Sequence, residues 1–372
     1  MTELHIREAS PDDAQVCGRL MFDAFETLAT RHHFPIEAGT PEFADFQIQA
    51  MLNTDGIYGL VAERDGHIVG SALQDERGQI VGIGPVSVDP TAPDAGAGCA
   101  MMTALLERSR DREVAGVRLV QTAYNYRSFS LYAKLGFAVR ELLSVFQGPP
   151  PRSGIPGTVV RPATPDDIAA CDEICRHVHG HDRHGELQHW VNIGTARVVE
   201  RGGRITGYAT GFGYTWHAVG NADDDIIALL AGADEYTGLG FLVPSRNTRL
   251  MAWCFGAGLQ LVQQSTLMTT GLYNQPQLVA ALDRLLGVLT WEVGYAGGGW
   301  LAAECGVASV VIVGVQPSRE LVAAFAVAGV EAGVGPFVGQ SAVEAFDFAV
   351  GLGSVGAGSA MLDLTECVSE RV

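Results

Sequence analysis

The sequence predicts an α/β fold in which one strand-and-helix unit is used twice in tandem, ahead of a C-terminal extension that gives no clear pattern. Three observations carry this reading. The chain has 372 residues, too many for one compact core and enough for two or three domains. Strand-like runs alternate with helical periodicities, as where Val86 and Val88 precede the helical face Met101, Leu105 and Leu106. Finally, Ile6-Arg7-Glu8-Ala9-Ser10-Pro11-Asp12-Asp13 recurs almost position for position as Val160-Arg161-Pro162-Ala163-Thr164-Pro165-Asp166-Asp167, the mark of an internal repeat.

Each copy of that segment reads as a strand that stops at a Ser or Thr N-cap, with Pro at the first helical position and acids in the first turn. A first helix follows, ending near His32 and His33. Next comes a hairpin turning at Asp65-Gly66, Val61 to Gly70, matched by Val198 to Gly207 with its turn at Gly202-Gly203. The strand from Ile83 to Val88 carries Gly84-Pro85 in its middle. Pro lacks an N–H and Gly weakens a ladder, so this pair predicts either a bulge that splays the strand from Leu119–Thr122 or an ordinary edge strand. Pro90 ends the strand, and Gly96-Ala97-Gly98 opens a helix. Glycines there let a ligand approach the unpaired N–H groups of the helix start, where an anion is stabilised. Val117 to Gln121 forms another strand, and Asn125, Ser128, Leu131 and Tyr132 lead through Leu135-Gly136-Phe137 into the next. Pro149-Pro150-Pro151-Arg152-Ser153-Gly154 cannot continue that strand and reads as a linker.

In the second copy, Phe241 to Asn247 aligns with Leu119 to Asn125, Ala257-Gly258-Leu259 with Leu135-Gly136-Phe137, and the helix Asp223 to Leu229 with Met101 to Leu106. The expected organisation is a domain over residues 1–148, a linker over 149–156, a shorter second domain over 157–275, and a Gly-, Ala- and Val-rich extension over 276–372. The second copy has lost the anion site. In place of the glycine loop it carries His217 to Ala222 and then Asp223-Asp224-Asp225, which stabilise a helix start and repel a pyrophosphate. Cys254 stands where the first copy has Tyr132, and Arg246 and Arg249 are its remaining candidates for touching an anion.

Hydrophobic residues make up 47% of the chain and charged residues 18%, a well-buried globular composition. With 24 basic and 42 acidic side chains the formal charge is −18. That argues against nucleic acid or an anionic membrane as partner, both of which need clustered Lys and Arg, and suits a cationic substrate. Seven scattered cysteines without a repeated spacing read as reduced thiols of a cytoplasmic protein. The N-terminus has no signal-peptide pattern, and no apolar run reaches transmembrane length. Nothing in the sequence sets an oligomeric state.

The order of motifs over roughly residues 4 to 148 resembles the GNAT N-acetyltransferase superfamily, whose acyl-CoA loop runs Gln/Arg-x-x-Gly-x-Gly/Ala and whose later motif carries Asn, Tyr and Leu-Gly-Phe. The resemblance implies a mixed, mostly antiparallel central sheet flanked by helices in each copy. It also implies transfer of acetyl from acetyl-CoA to a small amine or a protein or peptide amine by direct attack in a ternary complex, with no metal. The residues it assigns to the cofactor are Val86 and Val88, whose backbone pairs with the pantetheine arm, Gly96, Ala97 and Gly98 around the pyrophosphate, and Asn125, which bonds pantetheine or caps its helix. The Val86 N–H would polarise the thioester, and Tyr132 would protonate the departing thiolate. Pro93 replaces the family's Gln or Arg, and Asp94, Ala95, Cys99 and Ala100 bring no basic charge to the loop, which implies weakened CoA affinity. A non-catalytic acyl-CoA-binding or sensing protein is therefore the alternative.

The sequence does not single out a general base. Asp75 and Glu76 precede the strand at Ile80, but the polar turn Gln74 to Gly78 explains them equally. Cys171, Cys175, His177, His179, His181, His184 and His189 crowd one interval, yet their spacing matches no closed zinc site, and a helix followed by a polar loop is the default.

Overall fold

The computed structural model describes residues 3–91 and 96–274. Pro93, Asp94 and Ala95 and the whole extension over 276–372 lie outside the described residues. The first repeat runs β1 (His5–Glu8), α1 (Ala14–His32), α2 (Pro41–Leu52), β2 (Ile57–Arg64), β3 (His67–Asp75), β4 (Ile80–Val88), α3 (Ala97–Asp111), β5 (Gly116–Thr122), α4 (Tyr126–Lys134) and β6 (Ala138–Gln147). The second has the same ten elements in the same order. They are β7 (Thr158–Pro162), α5 (Ile168–His179), α6 (His184–Ile193), β8 (Arg197–Arg201), β9 (Arg204–Ala209), β10 (Ala218–Gly220), α7 (Asp223–Ala231), β11 (Phe241–Pro244), α8 (Thr248–Gly256) and β12 (Gln260–Gly271).

The repeated Pro-Asp-Asp segments fold identically because the same local chemistry closes them. Asp13 accepts from the Ser10 N–H at 2.7 Å and from both Arg7 Nη atoms at 2.8 and 2.9 Å, and Arg7 reaches on to Glu63. Asp167 does the same with Thr164 and Arg161, and Arg161 reaches Glu200. The arginine hydrogen bonds hold both aspartates well below the usual carboxylate range.

The two repeats do not each keep a sheet to themselves. An eight-stranded sheet runs β1-β2-β3-β4-β5-β12-β6-β11, and a four-stranded one runs β10-β9-β8-β7. The last strand of the second repeat, β12, lies antiparallel between β5 and β6 of the first. In return, β6 of the first repeat pairs with β11 of the second. The exchange is symmetric. Leu119 faces Met268 across β5 and β12, Phe241 faces Phe146 across β11 and β6, and the equivalent residues Leu143 and Ser265 face each other at the centre.

Packing follows the exchange. Met268 is fully buried in the first repeat's core with Met101, Met102, Leu105 and Leu119. Its equivalent Phe146 is fully buried in the second repeat's core with Ile227, Phe241, Val243 and Cys254. On the opposite face of the first sheet, α1 and α2 pack Cys17, Met21 and Ile48 against Val61 and Leu73. The four-stranded sheet packs Val198 and Tyr208 against Cys171, Ile174 and Cys175 of α5. Among the described residues no helix is long and apolar enough to cross a membrane.

Candidate functional site

The site begins where two neighbouring strands part. β4 and β5 pair in parallel at Ile80–Gly116, Val81–Val117 and Gly82–Arg118, and no rung follows. On its other side β4 stays paired to β3, but between Ala72–Val86 and Gln74–Ile83 it carries one residue more than its partner. That is the bulge foreseen at Gly84-Pro85, and it turns the rest of β4 away from β5. A Cβ placed on Gly82 or Gly84 would meet nothing within 4 Å, so both glycines border open space. The slot between residues 83–88 and 119–122 has two faces because side chains alternate along β5. Val117 and Leu119 point into the core beneath α3, whereas Arg118, Val120 and Thr122 line the side of α1 and α2. Val120 is 41% exposed.

At one end of the slot α3 starts at Gly96, which adopts the left-handed conformation at φ 76° and supplies no side-chain cap. Its first turn holds no acidic residue, so among the described residues no carboxylate neutralises the positive end of the helix, which favours an anion there. The two loop glycines differ in purpose. A Cβ on Gly96 would project into open space from a backbone that only glycine adopts cheaply, whereas one on Gly98 would touch Val88 at 3.4 Å and Leu131 at 3.6 Å. Gly98 is thus a packing glycine that seats α3 against β4 and α4. Ala97 is buried between them.

The equivalent helix start in the second repeat is closed by its own carboxylates. Asp225 accepts from the Ala222 N–H at 3.1 Å, from Thr206 and from Arg201. Asp223 takes the Asn247 amide at 2.8 Å, and Asp224 pairs with Arg249. Arg249 is thereby committed, and Arg246 is paired with Glu141. Neither is the free anion contact that the sequence suggested.

Tyr132 lies on α4 with its ring packed edge-on against Phe137, 6.1 Å between centroids. It is 8% exposed. Burial pushes its phenol up to about 12, and the hydroxyl has no hydrogen-bond partner among the described residues. Such a group stays protonated at neutral pH. Asn125 is the N-cap of α4, accepting from the Ser128 N–H at 3.2 Å. Its equivalent Asn247 caps α8 in the same way. Val86 and Val88 lie half-buried on β4 beyond the bulge, facing Ala72 and Gly70 of β3.

On the opposite face the structure adds a residue that the sequence did not reveal. Glu37, in the loop between α1 and α2, accepts from Thr122 Oγ1 at 2.7 Å and from the Gln263 side-chain amide. Both bonds end on Oε1, and Oε2 has no hydrogen-bond partner among the described residues. Burial raises the Glu37 pKa, opposed by those two hydrogen bonds. Around it stand Tyr124, stacked on Phe34 at 4.3 Å, and Tyr214, whose hydroxyl meets Ser265 at 2.9 Å. Gln263, Tyr214 and Ser265 come from the second repeat, so this corner is assembled by both. The only sequence signal was a single acid in the otherwise uncharged stretch Phe34 to Gly39.

The two acids considered earlier as bases are spoken for. Asp75 is gripped by Arg77; although burial pushes its pKa up, the arginine outweighs this and holds it low. Glu76 is shared by Arg108 and Arg112. His32 is exposed, 5.3 Å from the Tyr124 ring, and His33 caps α1. In the His-rich interval, Cys171 and Cys175 are buried core residues whose thiols burial pushes up, and His184 meets Asp172 at 2.6 Å. Among the described residues no three metal-binding side chains come together.

Residues 22–137 match the family model described as Acetyltransferase (GNAT) family. Among solved structures the chain is similar to a proposed acetyltransferase from Pyrococcus horikoshii, at 21% identity and TM-score 0.57 over 74% of this chain and 91% of that one. It is also similar to a GCN5-related N-acetyltransferase from Sphaerobacter thermophilus, at 17% identity and TM-score 0.51 over 74% and 98%. A tandem GNAT protein from the clavulanic acid biosynthesis pathway matches at 12% identity and TM-score 0.48 over 72% and 98%. Comparison with curated proteins gave no match.

Proposed function

Because residues 22–137 match the GNAT acetyltransferase family model, we propose that this chain transfers an acetyl group from acetyl-CoA to an amine by direct attack in a ternary complex. The observation that carries the proposal is the slot past Gly82–Arg118. An uncapped helix start stands at one end of it, and in this reading Tyr132 of α4, protonated and without a hydrogen-bond partner among the described residues, is assigned the role of acid. In this reading the pyrophosphate rests on the backbone of Gly96, Ala97 and Gly98. The pantetheine arm lies against β4 at Val86 and Val88, as an added strand would, with Asn125 beside it, and the Val86 N–H polarises the thioester carbonyl.

The acceptor enters from the opposite face. Glu37 takes one proton from its ammonium group, the freed nitrogen bonds to the carbonyl carbon, and the carbon–sulfur bond breaks as the thiolate takes the Tyr132 proton. The second proton on the new amide nitrogen passes to the phenolate, while Glu37 returns its own to solvent. The phenol is neutral at pH 7 and so carries the proton; because it is a weaker acid than a thiol near ~8.5, the transfer to sulfur is completed only as the amide nitrogen's proton refills the phenolate. The loop's lack of basic side chains, with Cys99 and Ala100 in the first turn of α3, is the observation that favours the second reading, an acyl-CoA sensor without turnover.

Thiol release from acetyl-CoA across a panel of amines, alongside calorimetric CoA binding, separates the two. Turnover in the wild type that falls by ~10²–10⁴ in Tyr132→Phe, with CoA binding nearly intact, is the expected result. Binding without turnover on any amine supports the sensor, and absence of both rejects acyl-CoA chemistry altogether.

A further inference from the structure

At the fork of β4 and β5 lies a recess of about 80 Å³, lined from the first repeat by Asp75, Arg77, Gly82 and Arg118 and from the second by His181 and Arg183. Its position matters, because Gly82–Arg118 is the last paired rung before the slot opens. A molecule held in the recess therefore borders the place where the two strands part.

The charges around it do not cancel. Three carboxylates reach it, and each has an arginine of its own: Asp75 with Arg77, Glu186 with Arg183, and Asp182 with Arg176 at 2.7 Å. Arg118 is left over. Its guanidinium has no hydrogen-bonded or ion-paired partner among the described residues and lies 5.6 Å from the Tyr273 ring. Its Nε is buried, as is Nη1 of Arg77, which also lacks a partner. Burial of this lone cation weakens its hold on the proton. A partly desolvated guanidinium without a counter-ion is costly, and a planar oxyanion is the group that its fork of donors fits best. His181 donates from Nδ1 to the Asp182 carbonyl oxygen at 2.9 Å, and burial lowers its pKa below the usual value of 6.5, so at neutral pH the ring offers no competing positive charge.

We infer that Arg118, with Arg77 beside it, binds a carboxylate on the acceptor, so that the amine acetylated by this protein is one that also bears an acid group. The inference rests on the acetyltransferase reading. It deepens that reading by naming the substrate class, and it gives the second repeat a part in choosing the substrate, since the loop around His181 and Arg183 forms the far wall of the recess.

The test compares kcat/KM for matched amines with and without a carboxylate, glycine against methylamine and 4-aminobutyrate against butylamine, in the full chain. The wild type should favour the acid-bearing member of a pair by tenfold or more, and Arg118→Met should reduce that ratio at least tenfold. Arg118→Lys, which keeps the charge without the fork, should retain part of the preference. A ratio near one in the wild type, or one unchanged in Arg118→Met, overturns the inference while leaving acetyl transfer in place.

A second readout does not depend on turnover. Acetate, compared with chloride at equal ionic strength, should raise the melting temperature of the wild type and not of Arg118→Met. If that shift is seen but no amine is turned over, the anion site stands and the acetyltransferase reading falls. If inorganic phosphate gives the shift while amines show no carboxylate preference, the site serves a free oxyanion and the acceptor assignment is overturned.

Discussion

The surroundings of Glu37 work against its charged form: burial favours the neutral acid, and the hydrogen bonds from Thr122 and Gln263 only partly oppose this. Its folded-state pKa therefore lies above the unfolded value near 4.5. The sign follows from linkage: the native state binds this proton more tightly, so the associated stability is full below the unfolded value and is lost as pH rises through the folded one. Glu37→Gln should thus melt higher than the wild type at neutral pH, with the gap closing toward pH ~4. Activity should move the other way. If Glu37 takes the acceptor's proton, wild-type kcat rises with pH as the carboxyl ionises, while Glu37→Gln loses ~10²–10⁴ in rate together with that limb of the profile. Parallel pH profiles in the two proteins would remove Glu37 from the chemistry. Asp75 and Glu76 show why the sequence could not settle this. All three acids look alike in one dimension, and the difference comes from partners: Arg77 and Arg108 neutralise two of them, whereas Thr122 and Gln263 reach the third from 85 and 226 residues away.

Two equivalent helices, α3 and α7, show how a few residues decide whether a helix start receives a ligand or closes on itself. Asp223, Asp224 and Asp225 satisfy and neutralise the start of α7, whereas α3 begins with Gly96 and an acid-free first turn. Placing a carboxylate at the exposed Cys99 in that turn should make α3 behave like α7. Cys99→Asp is expected to stabilise the fold by about 0.3–1 kcal/mol through the helix dipole and to weaken CoA binding by charge repulsion. Thermal melts and calorimetry on the same variant check the two effects, and CoA affinity equal to the wild type's would mean that the pyrophosphate rests elsewhere. This contrast was legible in the sequence because capping is local: the Pro-Asp-Asp turns, the Asn125 and Asn247 caps and the three aspartates act within a few residues of themselves. Gly98 was only half legible. A glycine before a helix signals a close approach, but whether a ligand or a neighbouring side chain makes it depends on Val88 and Leu131.

Much of the order of elements among the described residues was legible in the repeats, apart from the helices Pro41–Leu52 and His184–Ile193, but the exchange of strands between the repeats was not. An alternating strand such as β12 carries a buried face and a register, and these constrain its partner only through residues far along the chain. The structure resolves the choice in favour of interlocking: β12 completes the sheet of the first repeat, and β6 bridges it to β11. Each repeat therefore depends on the other for a strand and for a core side chain, Met268 in one direction and Phe146 in the other. Removing the second repeat would leave β5 and β6 with unpaired edges and a hole where Met268 sat. A vacated site of that kind costs roughly 2–5 kcal/mol even for a single truncated side chain, and exposed edges invite aggregation. Residues 1–148 expressed alone should accordingly fail to give a cooperative thermal transition or to bind CoA, although they contain every residue assigned to the cofactor. Adding residues 157–274 as a separate chain should restore both, because the strands that complete the sheet would then be supplied in trans. A cooperative transition and CoA binding from 1–148 alone would show that the first repeat can close its own sheet, and would reduce the second to an appendage.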